Sequence, residues 1–399
     1  MKLKCQPEDF IVEELPQFAI SGGPHAVYRL RKRSIGTPEA IASVVERWQV
    51  PRKRFSYGGL KDKHAITTQY FTIYNGPRKN LEQRSLEVTY LGQAADEFNA
   101  THIAGNRFTI VMRDMTGIEI ATAQRAVEDL QGHGLPNYFD DQRFGSMGFS
   151  GEWIGKAWCQ GNYERALWLA LADPHPDDRS NDKRQKQILR DHWGKWVECK
   201  ELLERSHRRS IVTNLADKEA VQKEPDFRSA FGCLNCDLRG LYLSAFQSAL
   251  WNRFLTAYLR QQFAADRLQT FSLTSGPSVF VSGLTNDETS QLANTQLPLP
   301  SARQKLEEGP LADMLNNVLA EEGLEQRELR VKYPRDSFFS KGQRAALFRV
   351  GNLQASANDD ELYPRRQKFS LSFDLPRGSY ATMVVKRLSG LSGALGDDE

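Results

Sequence analysis

The sequence predicts an α+β fold in which one sheet is interrupted by a long insertion. Short runs of alternating apolar and polar residues, such as RFTIVMR and TTQYFTIY, occupy the first 150 residues and are bounded by Gly, Asn and Pro, as is typical of strands. After about residue 160, tryptophans, charges and helical periodicity dominate instead. Strand patterns return at 343–350 and 368–387, so both ends of the chain are expected to complete one sheet.

Helical patterns interrupt the first strands and fill the insertion. Residues 37–48 read TPEAIASVVERW, where Thr37 is a predicted N-cap and Pro follows at the first helical position. A similar amphipathic helix is predicted over 121–130, and another over 241–260. A Ser/Thr/Gly/Pro-rich strand-and-turn region is expected at 271–301.

The composition is that of a globular chain of two domains. Of its residues, 40% are hydrophobic and 26% are charged. Its length of 399 residues exceeds the usual size of a domain with a single core. No run of about 18 uncharged apolar residues is present and the first residues lack an apolar signal region, so a cytoplasmic protein is expected. Five scattered cysteines indicate a reducing compartment, and Cys233 and Cys236, a CxxC pair without a second pair nearby, are expected to be reduced structural thiols.

Positive charge is clustered although the net charge is only +3. Such clustering is typical of a surface that contacts phosphates, while any one cluster alone is also typical of an ordinary solvated surface. The basic clusters lie at 29–33, 52–54, 183–186, 207–209 and 365–368.

One carboxylate is the best catalytic candidate. Residues 55–71 read FSYGGLKDKHAITTQYF, in which Asp62 stands between Lys61 and Lys63 after a Gly-Gly turn. Neighbouring positive charge favours the ionised carboxylate, and an ionised carboxylate can act as a nucleophile. A charged hairpin tip without function would give the same pattern, and the residue types alone do not separate the two interpretations.

A second segment, GLPNYFDDQRFG at 134–145, supports the catalytic interpretation. Together the two segments resemble the tRNA pseudouridine synthase D (TruD) family, with its G-x-KD-[KR]-x-A-x-T-x-Q and NYF-x-x-QRFG motifs. Four further segments are similar to the family in its own order: KCQPEDFIVEEL at 4–15, GNRFTIVMR at 105–113, LYLSAFQSALWNRFL at 241–255 and FDLPRGSYATMVVKRL at 373–388.

The resemblance implies a pseudouridine-synthase-type mixed, mainly antiparallel sheet core with helices, plus an inserted α/β domain. The expected catalytic domain spans 1–160 and 341–388, the inserted domain 161–340, and a flexible tail 389–399. The implied activity is isomerisation of uridine in tRNA, usually U13 of the D-arm. Substrate and product are isomers, so neither a cofactor nor a metal is expected, nor is an obligatory protein partner. The rival interpretation is a non-catalytic RNA-binding protein on the same scaffold, which would not need the carboxylate.

The resemblance also assigns roles to individual residues. Asp62 matches the catalytic position, and whether it attacks C1′, attacks C6 or removes the 2′ proton is left open. Phe139 is the expected stacking platform for a flipped base. A core position in a strand is the alternative for each aromatic residue. The substrate-binding candidates are Phe10, Asn137, Phe139 and Tyr380, and the supporting candidates are Lys4, Lys61, Gln142 and Arg143.

Overall fold

The computed structural model describes residues 1–304 and 306–390. These form two compact units. The first unit contains Met1–Asn137, Ser282–Ala293 and the chain from Leu347 onward, and the second contains Tyr138–Val281 and Asn294–Ala346. The predicted domain boundaries stay a prediction, and residues 391–399 of the predicted tail lie outside the described residues.

Strands and helices are numbered in chain order. The strands are β1 Phe10–Pro16, β2 His25–Arg33, β3 Phe55–Tyr57, β4 Ile66–Tyr74, β5 Leu81–Gln83, β6 Leu86–Ala94, β7 Ile103–Met115, β8 Leu135–Pro136, β9 Leu268–Leu273, β10 Gly276–Val281, β11 Gln296–Pro298, β12 Gln343–Ala345, β13 Leu347–Phe348, β14 Gly351–Asp359 and β15 Gln367–Pro376. The helices are α1 Thr37–Trp48, α2 Gly117–Leu130, α3 Ile154–Cys159, α4 Tyr163–Leu171, α5 Ser180–Asp191, α6 Trp196–Leu202, α7 His207–Glu219, α8 Phe227–Gly232, α9 Cys236–Gln262, α10 Asn286–Asn294, α11 Pro310–Glu321 and α12 Ala381–Leu388.

A nine-stranded sheet forms the centre of the first unit. Its order is β14-β15-β7-β1-β4-β2-β6-β5, with β3 paired to β4. Within this sheet β1 and β4 run parallel, and the other pairs of described strands are antiparallel. The predicted α+β fold with a mainly antiparallel sheet is therefore confirmed, including the contribution of both chain ends through β1 and β15. The expected contribution of 343–350 to this sheet was wrong, because β12 pairs with β11 and β13 pairs with β8 in separate two-stranded sheets.

Helix α1 packs on this sheet through the apolar stripe that the sequence shows. Ile41, Val44 and Trp48 are buried against strand residues such as Tyr28 and Phe71, whose rings stack with centroids 5.0 Å apart. The helix has the predicted bounds, but its N-cap is Gly36 and not Thr37. The Thr37 hydroxyl is buried and bonds to other elements, as described below.

The carboxy-terminal strand is shorter than predicted. Strand β15 ends at Pro376, and a turn follows in which Gly378 has a φ of 85°. The residues after it form α12, because Met383, Val384 and Leu388 lie on one buried helical face. The prediction of strand structure as far as residue 387 was therefore wrong over α12.

Arg113 at the end of β7 joins three segments of the first unit. Its guanidinium is buried and donates to Asp9 at 2.9 Å, to Asp360 at 2.8 Å and to Glu361 at 3.0 Å. Asp9 and Asp360 are themselves buried. Since removal of one partner would leave buried charge uncompensated, this cluster holds the residue before Phe10 in a fixed position.

The second unit is organised around the long helix α9. Its 27 residues include the predicted helix 241–260, and their buried members contact α3, α11 and β10. The helical periodicity predicted after about residue 160 begins with α4–α7. In the described part of the chain, no helix is long and apolar enough to cross a membrane.

Candidate active site

The loop between β3 and β4 carries Asp62. It begins after Tyr57, which pairs with Phe71, and it ends at Ile66. The side chain of Asp62 is 45% exposed, so its carboxylate faces solvent while the loop backbone is bound from the protein side. The loop is therefore a rigid support for an accessible carboxylate.

The buried side chain of Lys32 binds the backbone of this loop. Its ammonium donates to the carbonyl oxygens of Asp62 at 2.6 Å, Ile35 at 2.7 Å and Lys61 at 3.4 Å. The residue is 1% exposed, and burial lowers the pKa of its ammonium to about 8. Asp62 partly opposes this shift, because a nearby carboxylate favours the charged amine.

Two further buried side chains bind the same loop. The Thr37 hydroxyl accepts from the backbone N–H of Lys61 at 3.0 Å and donates to Gln69 Oε1 at 2.8 Å. Gln69 Nε2 in turn donates to the carbonyl oxygen of Gly59 at 3.3 Å. Residues of α1 and β4 thus fix the turn at two positions, Gly59 and Lys61, and the buried hydroxyl explains why Thr37 does not cap its helix.

Of the two lysines expected to support Asp62, Lys4 is the one that faces it. Lys4 Nζ lies 3.8 Å from Asp62 Oδ2 and 4.5 Å from the centroid of the Phe10 ring. Lys61 Nζ lies 2.8 Å from Glu14 Oε1 instead. Glu14 is buried on β1, and its other oxygen accepts from the backbone N–H of Tyr70 at 2.8 Å.

The other substrate-binding candidates of the first unit lie at the ends of elements. Phe10 begins β1 and is buried, with its ring edge-on to Phe108 at 6.4 Å. Asn137 is buried directly after β8, and Tyr380 is half-buried directly before α12. Phe10 therefore offers little surface to a ligand in this conformation, and its role as a substrate contact stays a prediction.

In the second unit, Phe139 is held by polar and cationic neighbours. Asn252 Oδ1 accepts from the backbone N–H of Phe139 at 2.8 Å, and its Nδ2 donates to the carbonyl oxygen of Phe139 at 2.8 Å. The Arg344 guanidinium carbon lies 4.2 Å from the ring centroid, and Trp251 meets the ring edge-on at 5.6 Å. This environment fixes the backbone of Phe139 and places a planar cation on its ring.

The residues after Phe139 form a short 3₁₀ helix, Asp141–Phe144. Arg143 lies 5.9 Å from the Phe139 centroid and donates to Ser248 Oγ at 3.4 Å, whereas Gln142 is exposed. Asp140 is buried, with a φ of −82°.

Sequence reasoning missed the residues that position the candidates. The predicted basic surface cluster at 29–33 is wrong for Lys32, because Lys32 lies on the buried face of β2 while Arg31 and Arg33 are exposed. The alternation along β2 was the available signal. No comparable signal marks Asn252 or Arg344, which are more than 100 residues from Phe139.

Cys233 and Cys236 are both exposed and reduced. Within residues 1–304 and 306–390, no group of three or more His, Cys, Asp and Glu side chains is arranged to hold a metal ion.

Comparison with known proteins identifies the family. The family model for tRNA pseudouridine synthase D (TruD) matches residues 1–388. The chain is 31% identical to a probable tRNA pseudouridine synthase D 2 of Methanocaldococcus jannaschii, covering 97% of this chain and 91% of that protein. It is 26% identical to tRNA pseudouridine synthase D of Aquifex aeolicus, covering 97% and 98%.

A solved structure is also similar over the whole fold. The crystal structure of the putative tRNA pseudouridine synthase D from Methanosarcina mazei matches with a TM-score of 0.75 and 25% identity, over 97% of this chain and 93% of that one. The mainly antiparallel sheet and the relatives together define the class, that of RNA-modifying isomerases. Within that class, the chain belongs to the tRNA pseudouridine synthase D family.

Proposed function

We propose that this protein isomerises uridine to pseudouridine at position 13 in the D-arm of tRNA, with Asp62 as the nucleophile or base. The observation that carries the proposal is the accessible Asp62 carboxylate on a loop whose backbone is bound by three buried side chains. The resemblance of the KDK motif at 61–63 to that of the family also supports a catalytic role for Asp62.

The reaction needs no external reactant. The C1′–N1 bond of uridine breaks, the base turns, and a C1′–C5 bond forms, while the proton on C5 is lost and N1 gains one. A carboxylate that attacks C1′ or C6, or that removes the 2′ proton, can begin this sequence. Each route needs the carboxylate as an anion, and the Lys4 ammonium lies 3.8 Å from Asp62 Oδ2.

Phe139 is proposed as the surface on which the displaced base stacks. A rigid aromatic ring tolerates any orientation of the base in its plane, as a base that turns during the reaction requires. The two hydrogen bonds between the Asn252 side chain and the Phe139 backbone support this role, because they fix the backbone that carries the ring. Asn137 and Tyr380 are proposed as polar contacts to the uridine.

The test is pseudouridine mapping of tRNA transcripts incubated with the purified protein. We expect one modified position, residue 13, and none in a transcript with cytidine there. Asp62→Asn should bind the transcript within a few-fold of wild type but produce no pseudouridine, whereas Asp96→Asn, at an exposed position in the same unit, should be fully active. Binding without modification by the wild-type protein would instead favour a non-catalytic RNA-binding protein.

A further inference from the structure

A pocket on the second unit has the composition of a nucleotide subsite. It has a volume of about 290 Å³ and lies between the chain that follows β11 and the segment 329–339. Its lining includes Ser301, Arg303, Arg330, Arg335 and Phe338. None of these residues was singled out by the sequence motifs, and all belong to the range 294–346 of one unit.

The arginines of this pocket are not neutralised by the protein. Arg303, Arg330 and Arg335 are exposed, and none of them forms an ion pair with a carboxylate of the described residues. The neighbouring Asp336 is bound by Arg239 at 2.5 Å. Three arginines without a carboxylate partner thus line one pocket, which gives it a positive charge that favours an anionic ligand.

A buried hydroxyl and an exposed ring complete the pocket. Ser301 is 1% exposed, and its Oγ has no hydrogen-bond partner within residues 1–304 and 306–390. The Oγ is closed to solvent, so the groups that a ligand can contact in this pocket are the exposed arginines and Phe338. Phe338, by contrast, is 62% exposed. An exposed ring beside arginines is the arrangement with which proteins stack unpaired bases.

The pocket is built rigidly on helix α9. Gln247 of α9 is buried, and its Nε2 donates to the carbonyl oxygens of Pro300 at 2.9 Å and Ser340 at 2.8 Å. One side chain therefore binds both chain segments that line the pocket to the helix. Arg239, also buried, donates to Ser337 Oγ at 3.2 Å. The pocket is therefore formed before any ligand binds, which lowers the entropy cost of binding.

We propose that this pocket binds one unpaired nucleotide of the RNA substrate, with its phosphate between the arginines and its base on Phe338. The inference rests on the proposed function, because it assumes that the substrate is tRNA. A helical stem would hide its bases from Phe338, so the bound nucleotide comes from a loop or an end of the RNA.

The test compares pocket variants with matched controls in tRNA binding and in single-turnover modification. Phe338→Ala should raise the Kd for tRNA roughly tenfold or more, as expected for the loss of one stacked base. Phe149→Ala removes a ring that is 69% exposed on the same unit and should leave the Kd unchanged. At saturating protein, the control variant Phe149→Ala should modify tRNA at the wild-type rate.

The salt dependence of binding tests the phosphate contact. Arg335→Gln should reduce the slope of log Kd against log salt concentration by roughly 0.7–0.9, the value for one phosphate contact. Arg327→Gln is the control, since Arg327 is exposed and already paired with Glu325 at 2.7 Å. Circular dichroism melting should show that all four variants are as stable as wild type, because each changed side chain is exposed.

Each contrary outcome has a defined meaning. If the wild-type protein modifies tRNA and the pocket variants equal their controls, the subsite is refuted while the proposed function stands. If the wild-type protein neither binds nor modifies tRNA, both are refuted. If the wild-type protein binds oligoglutamate more tightly than a uridine oligonucleotide of equal charge, and Phe338→Ala weakens only the binding of oligoglutamate, the pocket accepts acidic peptides, which also refutes the subsite.

Discussion

Replacement of Lys32 by Met should inactivate the protein through displacement of the loop that carries Asp62. The change keeps an unbranched side chain but removes the donors to the carbonyl oxygens of Asp62, Ile35 and Lys61. Hydrogen bonds from a charged group contribute about 1.5–3 kcal/mol each. Two of the three are short, at 2.6 and 2.7 Å, so their loss should cost about 3–6 kcal/mol, partly as global stability and partly as local order of the loop.

The effect on catalysis should be large, because a misplacement of about 1 Å can cost roughly 100-fold in rate. We therefore expect kcat for pseudouridine formation to fall by about 100-fold or more, with a small change in the Kd for tRNA. The assay is single-turnover modification of a tRNA transcript at saturating protein, with urea unfolding to confirm that the variant is folded at the assay temperature.

Arg31→Met is the matched control. Arg31 directly precedes Lys32 in sequence but lies on the exposed face of β2. Its replacement therefore removes one positive charge without changing a contact to the loop. It should retain kcat. Hydrogen exchange at the backbone N–H of Lys61, which Thr37 binds at 3.0 Å, should accelerate in Lys32→Met and not in Arg31→Met. Equal kcat values for the two variants would refute the positioning role of Lys32.

The remaining predictions concern charge, stacking and buried ion pairs. Burial lowers the pKa of Lys32 to about 8 from 10.5. Between these pH values the unfolded chain binds more protons than the folded chain, so the contribution of Lys32 to the free energy of unfolding rises with pH. Urea unfolding from pH 8 to 10 should therefore show wild type gaining stability relative to Lys32→Met, and a gap that narrows would contradict this. Phe139→Ala should lower modification more than Phe139→Tyr, which keeps the stacking surface, and equal kinetic losses would make the ring a packing residue. Arg113→Met should lower the free energy of unfolding by about 3–5 kcal/mol in urea titrations, because the buried carboxylates of Asp9 and Asp360 lose their partner. A change below about 1 kcal/mol would mean that the two carboxylates are protonated in the variant without loss of stability. Modification should continue in EDTA, and a loss that zinc restores would indicate a metal requirement.

Local sequence patterns predicted the elements that depend on neighbouring residues. The bounds of α1 followed from Pro at its start and an apolar stripe, and the helix within α9 followed from its periodicity. Strand β14 was missed because GNLQASAND has no apolar alternation. This segment is a strand because it pairs with β15 over most of its length, at the edge of the sheet.

In the candidate site, too, some features follow from local sequence and others from contacts between distant segments. Asp62 and Phe139 lie in short motifs, so the sequence indicated them directly. The cation that faces each group depends on tertiary structure. Lys61 is next to Asp62 in sequence but pairs with Glu14 on another strand, whereas Lys4, nearly 60 residues away, faces the carboxylate.

By itself, the sequence determined the fold class, the family and the residues proposed for chemistry, because these depend on periodicity and on contiguous motifs. The tertiary structure alone decided that Lys32 supports the loop from a buried position, and that Ser301 and Phe338 line one pocket. The physical reason is that burial and partners are set by pairing between distant segments. The same lysine would be an ordinary surface charge if β2 had paired one residue out of register, on the opposite face of the sheet.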